Sequence, residues 1–227
     1  MSTVLPSRLY KYYPPERADL ITNWSLRFSR PSHFNDTFDT DYTIHDKRDL
    51  RRRLKNRISP AVFCLTEDPH NHLMWVNYAA HHTGFVVGFD PTDSFFTDEG
   101  GTLNKVRYQV EPPDMASDGD PPLDLCFIKS KDWEYEKKWR CVRSIPIGET
   151  IDVALPHTAI REIIMGWKIT SSARIELLDD IEALRSDHTI AVSDSVPNRK
   201  TWTFSHKPTK FHLCTQCGGR GTTKDKA

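Results

Sequence analysis

The chain has 227 residues, a length that fits one large domain or two small ones at roughly 100–200 residues per domain. Lys plus Arg and Asp plus Glu each number 31, so the net charge is zero; this excludes a globally basic nucleic-acid-binding surface but leaves a local basic patch open. No apolar run approaches the roughly 18 residues that span a bilayer, and no apolar signal segment follows the first methionine. We therefore expect a cytoplasmic protein without membrane contact, and the odd count of five cysteines agrees with a reducing compartment.

Alternating and continuous apolar patterns predict short secondary-structure elements along the whole chain. We predict strands at 9–13, 25–29, 61–65, 85–89, 106–110, 133–142, 189–192 and 200–204, with a further apolar segment at 160–165. Predicted helices cover 16–24, 46–58, 69–81 and 171–186; in the last, Ile175, Leu178 and Ile181 should face inward behind a Ser171 or Ser172 cap. Because few long helices separate the strands, we predict one α+β domain over 1–205, with mostly antiparallel sheets and peripheral helices, and a polar tail over 206–227.

The densest polar and aromatic stretch is WEYEKKWR at 133–140. On a strand, side chains alternate between faces, and one face would carry Glu134, Glu136, Lys138 and Arg140. Neighbouring cations keep a carboxylate ionised, and an ionised carboxylate can stabilise an oxocarbenium ion or orient a sugar hydroxyl. The alternative is an exposed, charged face of an antiparallel sheet.

A second cluster, at 70–82, combines four histidines with aromatic residues. On a helix, Trp75, Tyr78 and His82 share one face and could line a pocket for a flat heterocycle. Alternatively, the rings belong to the core and His82 is a cation at the helix end. The histidines also leave open a nuclease that uses a metal ion or a histidine pair, although no strong zinc spacing is present.

The helix predicted at 46–58 carries seven Lys or Arg residues. Four of them could contact phosphates: Arg51, Arg52, Arg53 and Lys55. This pattern suggests a non-enzymatic nucleic-acid-binding module as an alternative function, or simply a solvated helix face.

Two groups of cysteines have different contexts. Cys214 and Cys217 lie in a CxxCxGxG pattern, which is typical of a zinc knuckle. His206 and His212, or a second chain, would have to complete the zinc ligand set; otherwise the segment is a mobile tail. Three further cysteines lie among apolar residues and are interpreted as small buried side chains: Cys64, Cys126 and Cys141.

Six segments taken in order resemble an uncharacterised bacterial family with the pattern LYKY, FNDPF, MWxxYA, HxGF and YExEWR. They are LYKY at 9–12, LRFSRPSHFND at 26–36, VFCLTE at 62–67, MWVNYA at 74–79, HTGF at 82–85 and WEYEKKWR at 133–140. The resemblance covers about 10–166. Thr37 stands where the family has proline, and Lys138 stands where it has the second glutamate. If that glutamate is catalytic, this chain is inactive or uses Glu136 instead.

The same order of parts is similar, at longer range, to ADP-ribosyltransferases. This resemblance implies NAD as substrate, Glu136 as the catalytic glutamate, and an acceptor that is a nucleic acid or a protein. The residues that it implies for NAD binding are Tyr10, Lys11, Tyr12, Ser29 or Thr66, Trp75, Tyr78, His82 and Arg140. Lys11 and Arg140 would pair with the pyrophosphate. A role as a toxin or in phage defence, with an antitoxin or regulatory protein as partner, would suit such an enzyme.

Overall fold

A computed structural model describes residues 4–39, 43–44, 58–97, 101–115, 123–146, 151–184, 190–209, 212–213 and 220–221. The main β-sheet has eight strands, most of them antiparallel, and the helices are few. The predicted α+β class is therefore confirmed. Among the described residues, no helix combines the length and apolar character needed to cross a membrane.

The elements are short, as the frequent Pro, Gly and Asp residues predict. The strands of the described residues are β1 (Leu9–Tyr13), β2 (Ser25–Arg27), β3 (Thr43–Ile44), β4 (Ile58–Thr66), β5 (Phe85–Phe89), β6 (Thr102–Lys105), β7 (Arg107–Gln109), β8 (Asp114–Met115), β9 (Ile128–Ser130), β10 (Lys138–Pro146), β11 (Asp152–Ala154), β12 (Ile160–Met165), β13 (Ala191–Asn198), β14 (Thr203–Pro208), β15 (His212–Leu213) and β16 (Arg220–Gly221). The α-helices are α1 (Asp19–Asn23), α2 (His72–Tyr78), α3 (Ser94–Thr97) and α4 (Ser171–Leu184). Short 3-10 helices cover Pro15–Arg17, Pro31–His33, Leu123–Phe127, Lys131–Glu136 and His157–Ala159.

Within the span predicted as one domain, the backbone forms two compact units. Unit 1 consists of Met1–Lys11, Asn23–Pro69 and Phe89–Ala159. Unit 2 consists of Tyr12–Thr22, His70–Gly88 and Ile160–Ala227. Each unit contains several β-strands.

In unit 1 the sheet is antiparallel, with β4 between β1 and β10, and with β6 beside β10. The register pairs Cys64 with Arg140 and Thr66 with Lys138. Since side chains alternate along a strand, these four side chains share one face of the sheet. The residues Val62 and Val142, on the same face, pack against Cys126 and Phe127. Aromatic rings form another part of the core: Phe28, Phe63, Phe89, Phe95 and Phe96.

In unit 2 the strand order is β5, β12, β13, β14. The strands β12 and β13 are parallel, which requires a crossover connection, and helix α4 lies in that connection. Strand β14 pairs with β13 in the antiparallel direction. The buried side chains include Trp75, Phe85, Ile164, Leu178 and Ile181.

The strand predicted at 133–142 is wrong in its first half. Residues 131–136 form a 3-10 helix, which begins where the Ser130 hydroxyl accepts a hydrogen bond from the Asp132 amide. It ends at Lys137, whose φ of 45° lies in the left-handed region. The strand starts only at Lys138. The alternation that would place Glu134 and Glu136 on one strand face therefore does not exist.

Two helix predictions need correction in their details. Helix α2 begins after Asn71, whose side-chain oxygen accepts from the Leu73 and Met74 amides, and not at Asp68. It ends at Tyr78, so His82 does not belong to its face. In α4, Ile175 is exposed although we predicted it to face inward.

In α4, Leu177 is buried beside the predicted Leu178 and Ile181. The hydroxyl of Thr170 accepts from the Ala173 amide, in the place predicted for Ser171 or Ser172.

Further boundaries also differ from the predictions. The strand predicted at 106–110 is broken at Val106, and Val110 is exposed. Ile58, predicted to end a helix, is instead the first residue of β4. The last long strand runs over Thr203–Pro208, past the predicted start of the tail at residue 206. The rest of the helix predicted at 46–58 lies outside the described residues.

Candidate functional site

Glu136 occupies the last position of the 3-10 helix that precedes β10 in unit 1. The Thr66 hydroxyl donates a 2.6 Å hydrogen bond to the carbonyl oxygen of Glu136, which fixes this backbone against β4. The amide of Lys138 donates to the Tyr108 hydroxyl at 2.7 Å, and burial raises the pKa of Tyr108 to about 12. These contacts anchor the backbone on both sides of the left-handed Lys137 and so determine where the Glu136 side chain lies.

The carboxylate of Glu136 is 0% exposed and has two ammonium partners. Its Oε2 lies 3.0 Å from Nζ of Lys129 and 2.8 Å from Nζ of Lys138. Burial, together with the like charge of Lys138, lowers the pKa of Lys129, against the opposing effect of Glu136 and Asp39. Two ammonium groups at this distance stabilise the charged carboxylate in a medium of low dielectric constant.

Two further carboxylates complete a buried group of charges. Asp39 contacts Nη2 of Arg140 at 2.5 Å and lies 3.7 Å from Nζ of Lys129, while Asp36 lies 4.0 Å from the same nitrogen. We call this set the charge cluster; its members are Asp36, Asp39, Lys129, Glu136, Lys138 and Arg140. Three positive and three negative groups balance, but Nε of Arg140, Oδ1 of Asp39 and Oδ2 of Asp36 are buried and have no hydrogen-bond partner among the described residues.

Cys64 adjoins the charge cluster on β4, opposite Arg140. Burial acts to raise the pKa of its thiol, but Arg140, Lys138 and Lys11 together outweigh burial and hold that pKa below the ordinary value. Burial raises the pKa of Cys126 and of Cys141 to about 11. The apolar neighbours of Cys64 in sequence predicted a small buried side chain, but Cys64 is half-buried. The cations that act on its thiol come from β1 and β10 and are distant in sequence.

Several predicted NAD-binding residues of unit 1 lie on neighbouring strands around Cys64. Nζ of Lys11 donates to the carbonyl oxygen of Cys64 at 3.1 Å and lies 4.6 Å from the centre of the Phe63 ring. Tyr10 pairs in register with Thr66. Ser29 forms an isolated backbone bridge with Val62, on the same strand as Cys64 and Thr66.

A cavity of about 300 Å³ in unit 1 reaches the charge cluster. Lys129 lines it, together with Gln109, Ile128 and Ser130. The side chain of Lys129 is fully buried and its Nζ bonds to Glu136, so the cavity borders the strand that carries this lysine.

The remaining predicted NAD-binding residues belong to unit 2. Trp75 is 0% exposed; the ring of Tyr12 contacts it edge-on at 5.2 Å, and the ring of His82 stacks on it at 6.0 Å. Tyr78 is half-buried at the end of α2. A nicotinamide clamp at Trp75 would require this ring to become accessible.

Other predicted site residues lie outside the described part of the chain. They are Arg51, Arg52, Arg53, Lys55, Cys214 and Cys217. Their predicted roles in phosphate contact and zinc binding stay predictions. Within the described ranges, no group of three or more His, Cys, Asp or Glu side chains is arranged to hold a metal ion.

Three comparisons with known proteins found no match. No protein-family model matches the chain, and no significant match appears among curated proteins or solved structures. The resemblance to ADP-ribosyltransferases therefore stays a prediction, and the functional argument rests on the residues themselves.

Proposed function

We propose that the chain is an NAD-dependent enzyme similar to ADP-ribosyltransferases. In this reaction the C–N bond between nicotinamide and ribose breaks, and nicotinamide leaves with the bonding electron pair. The anomeric carbon then bonds to an acceptor atom that gives up a proton. The acceptor is a nucleic acid or a protein. The transition state has oxocarbenium character, so a carboxylate beside the ribose stabilises it.

The observation that carries the proposal is the environment of Glu136. A carboxylate without solvent exposure, bonded to Lys129 and Lys138, is expensive to bury and is retained where its charge has a use. Arg140 belongs to the same cluster, and Lys11 donates a hydrogen bond to Cys64 on β4, the strand that pairs with the strand of Arg140. Such cations suit a pyrophosphate, because charge-assisted hydrogen bonds to phosphate oxygens are strong.

The burial of Glu136 sets a requirement on how NAD would bind. Oε2 of Glu136 is held by the Lys138 ammonium, so a ribose hydroxyl reaches this oxygen only after Lys138 moves. A pyrophosphate provides the competing anion that would draw Lys138 away. In this proposal Lys138 forms an ion pair with the Glu136 carboxylate in the free enzyme and binds phosphate in the complex with NAD.

The cavity of unit 1 supports the proposal, because strand β9, which carries Lys129 of the charge cluster, forms part of its wall. Its volume of about 300 Å³ accommodates part of a dinucleotide, and the remainder of NAD would extend into solvent. Bound there, the substrate would lie next to the side chain that contacts Glu136.

The test is incubation with NAD labelled in the adenylate moiety, with nucleic-acid and protein acceptors offered separately. We expect labelled acceptor and free nicotinamide with the wild type, and neither with Glu136→Ala. Glu134→Ala is the matched control, because Glu134 is exposed and lies on the same 3-10 helix. Equal turnover by the wild type and Glu136→Ala would remove the proposal.

The proposal extends to the setting of the enzyme. It would act in the cytoplasm as a toxin or phage-defence effector, under control of an antitoxin or regulatory protein. The basic residues at 51–55 would then contact a nucleic-acid acceptor. Charge reversal at Arg51, Arg52 and Arg53 should abolish transfer to nucleic acid while NAD cleavage continues.

A further inference from the structure

We propose that unit 2 contains a binding site for one nucleotide unit, meaning a flat heterocycle together with its phosphate. The site is a cavity of about 400 Å³, a volume typical of small-ligand pockets. The residues that carry the argument are His82, Trp167, Lys168, Arg199, Trp202 and Phe204. All of these residues belong to unit 2, and the site does not depend on the role of Glu136.

His82 forms the base of the cavity. It is 9% exposed, and its ring contacts Trp75, at 6.0 Å and 12°, and Phe204, at 5.0 Å and 29°; the last two rings are 6.4 Å apart, so the three form a triangle. Its Nδ1 is buried without a hydrogen-bond partner among the described residues. Burial, with help from Lys168, lowers the pKa of His82, so its imidazole is neutral at neutral pH and can donate from one nitrogen and accept at the other. An unsatisfied polar atom in a residue that lines a cavity is a reason to look for a polar ligand.

The backbone around His82 is held in an unfavourable conformation. Ala80, His81 and His82 have consecutive φ values of 45°, 55° and 73°, in a region that residues with a side chain seldom adopt. The turn is closed by hydrogen bonds from the Thr83 hydroxyl to Ala80 O and from the Gly84 amide to Ala79 O. Consecutive strained residues tend to persist where a site depends on them.

Two tryptophans provide stacking surfaces beside His82. Trp167 is 42% exposed and Trp202 is 84% exposed, and Trp202 also has a left-handed φ of 56°. Trp167 is brought to His82 because Gly166 N bonds to Gly84 O at 2.9 Å and Lys168 N bonds to His82 O at 3.1 Å. Exposed indole rings of this kind stack on nucleobases irrespective of base sequence.

The charge of the cavity selects an anionic ligand. Lys168 and Arg199 are exposed and line it, and Nζ of Lys168 lies 5.2 Å from the Trp167 ring centre. His72 also lines it, and no Asp or Glu is among the described residues that line the cavity. Aromatic surfaces flanked by cations match a heterocycle that carries a phosphate, whether it is a free nucleotide or part of a single strand.

The test is calorimetric titration of the full chain with AMP, adenosine, inorganic phosphate and a single-stranded oligo(dA) of eight nucleotides. We expect AMP to bind more tightly than adenosine or phosphate. Trp202→Ala should weaken AMP binding roughly 5- to 150-fold, the loss of one stacked base. Arg199→Met should weaken AMP binding and leave adenosine binding unchanged. Ile175→Ala and Lys207→Met, both at exposed positions of unit 2, are the controls.

The two nucleotide sources are distinguished by the oligomer. A single strand as ligand predicts oligomer binding that is tighter than AMP binding and falls steeply with salt, while a free nucleotide predicts AMP binding at least as tight. Either result supports the site if Trp202→Ala weakens the binding of the ligand that binds more tightly. Absence of AMP and oligomer binding, or binding that neither Trp202→Ala nor Trp167→Ala changes, would overturn it. Because the measurement is binding, its failure is separate from any failure of NAD turnover.

Discussion

The Nζ atom of Lys138 lies 2.8 Å from Oε2 of Glu136, and the side chains of both residues are almost fully buried. The predicted resemblance to a bacterial family would set a glutamate at position 138, where this chain has a lysine. The ion pair gives Lys138 a definite role, because its ammonium group neutralises the carboxylate of Glu136, whereas a glutamate at position 138 would add a second carboxylate.

We expect Glu136→Gln to reduce the free energy of unfolding by about 3–5 kcal/mol, because Lys129 and Lys138 would keep buried charges without their shared partner. Adding Lys138→Met should restore part of the loss. Denaturant unfolding of the single and double variants gives a coupling energy of about 0.5–3 kcal/mol if the pair acts as described. Glu134→Gln, at an exposed position, should change stability by less than about 0.5 kcal/mol. Strict additivity would show that the contact does not matter.

We expect Cys64 to be alkylated before Cys126 and Cys141. The cations beside Cys64 favour its thiolate, whereas burial raises the pKa of the other two thiols to about 11. The measurement is the rate of iodoacetamide labelling by mass spectrometry, in a background with Cys214→Ser and Cys217→Ser. Arg140→Met should slow labelling of Cys64. Comparable labelling of all three cysteines would contradict the electrostatic argument.

Glu67 should make stability depend on pH at the acid end. Burial acts to raise its pKa, but hydrogen bonds from Lys105 and from Nε1 of Trp139, at 2.8 and 2.6 Å, outweigh burial and lower the pKa below 4.5. A lowered folded-state pKa means that the stabilisation is present above pH 4.5 and is lost as pH falls through the folded value. We therefore expect Glu67→Gln to destabilise the protein near neutral pH and to flatten its acid unfolding curve. An unchanged curve would exclude this residue as the cause.

Gly166 should not tolerate a side chain. A Cβ atom there would lie 2.2 Å from the carbonyl oxygen of His82 and 2.6 Å from that of Gly84, and both are backbone atoms that cannot swing away. We expect Gly166→Ala to cost about 1–3 kcal/mol or more in urea unfolding. Ile175→Ala, at an exposed position of the same unit, should cost little. Wild-type stability of Gly166→Ala would mean that the 82–84 and 166–168 segments are not as close as described.

Much of the fold could be predicted because local patterns determine it. The apolar runs at 61–65 and 85–89 are strands, and the apolar spacing at 171–186 gives helix α4. The 3-10 helix at 133–136 could not be predicted, because the alternation of its residues is typical of a strand. The choice depends on the Thr66 hydroxyl, which binds the Glu136 carbonyl from 70 residues away in sequence.

The candidate sites follow the same distinction. Glu136 and Arg140 were predicted together from one segment, and both belong to the charge cluster, but Asp39, which bonds to Arg140, comes from a distant loop. Trp75 and His82 were predicted to be close as neighbours on a helix face. They stack because the chain after Tyr78 turns back through three left-handed residues. The periodicity of apolar residues does not predict that turn.

Lys138→Met separates a structural from a catalytic role of Glu136. If the Lys138 ammonium blocks the carboxylate, its removal leaves Lys129 bonded to Oε2 and opens a hydrogen-bonding position for the ribose. The rate of nicotinamide release at saturating NAD should then be at least that of the wild type. If Glu136 only balances buried charge, the variant loses stability and gains no activity. Near-UV circular dichroism of the variant shows whether the rate of nicotinamide release was measured on folded protein.

The most direct measurement is the rate of nicotinamide release from NAD by the wild type, Glu136→Gln and Glu134→Gln, each shown to be folded. The proposed role of Glu136 predicts equal rates for the wild type and Glu134→Gln, and a rate at least about 100-fold lower for Glu136→Gln, as expected when a group that stabilises transition-state charge is removed. Equal rates for all three proteins, or no release by the wild type with any acceptor, would contradict it.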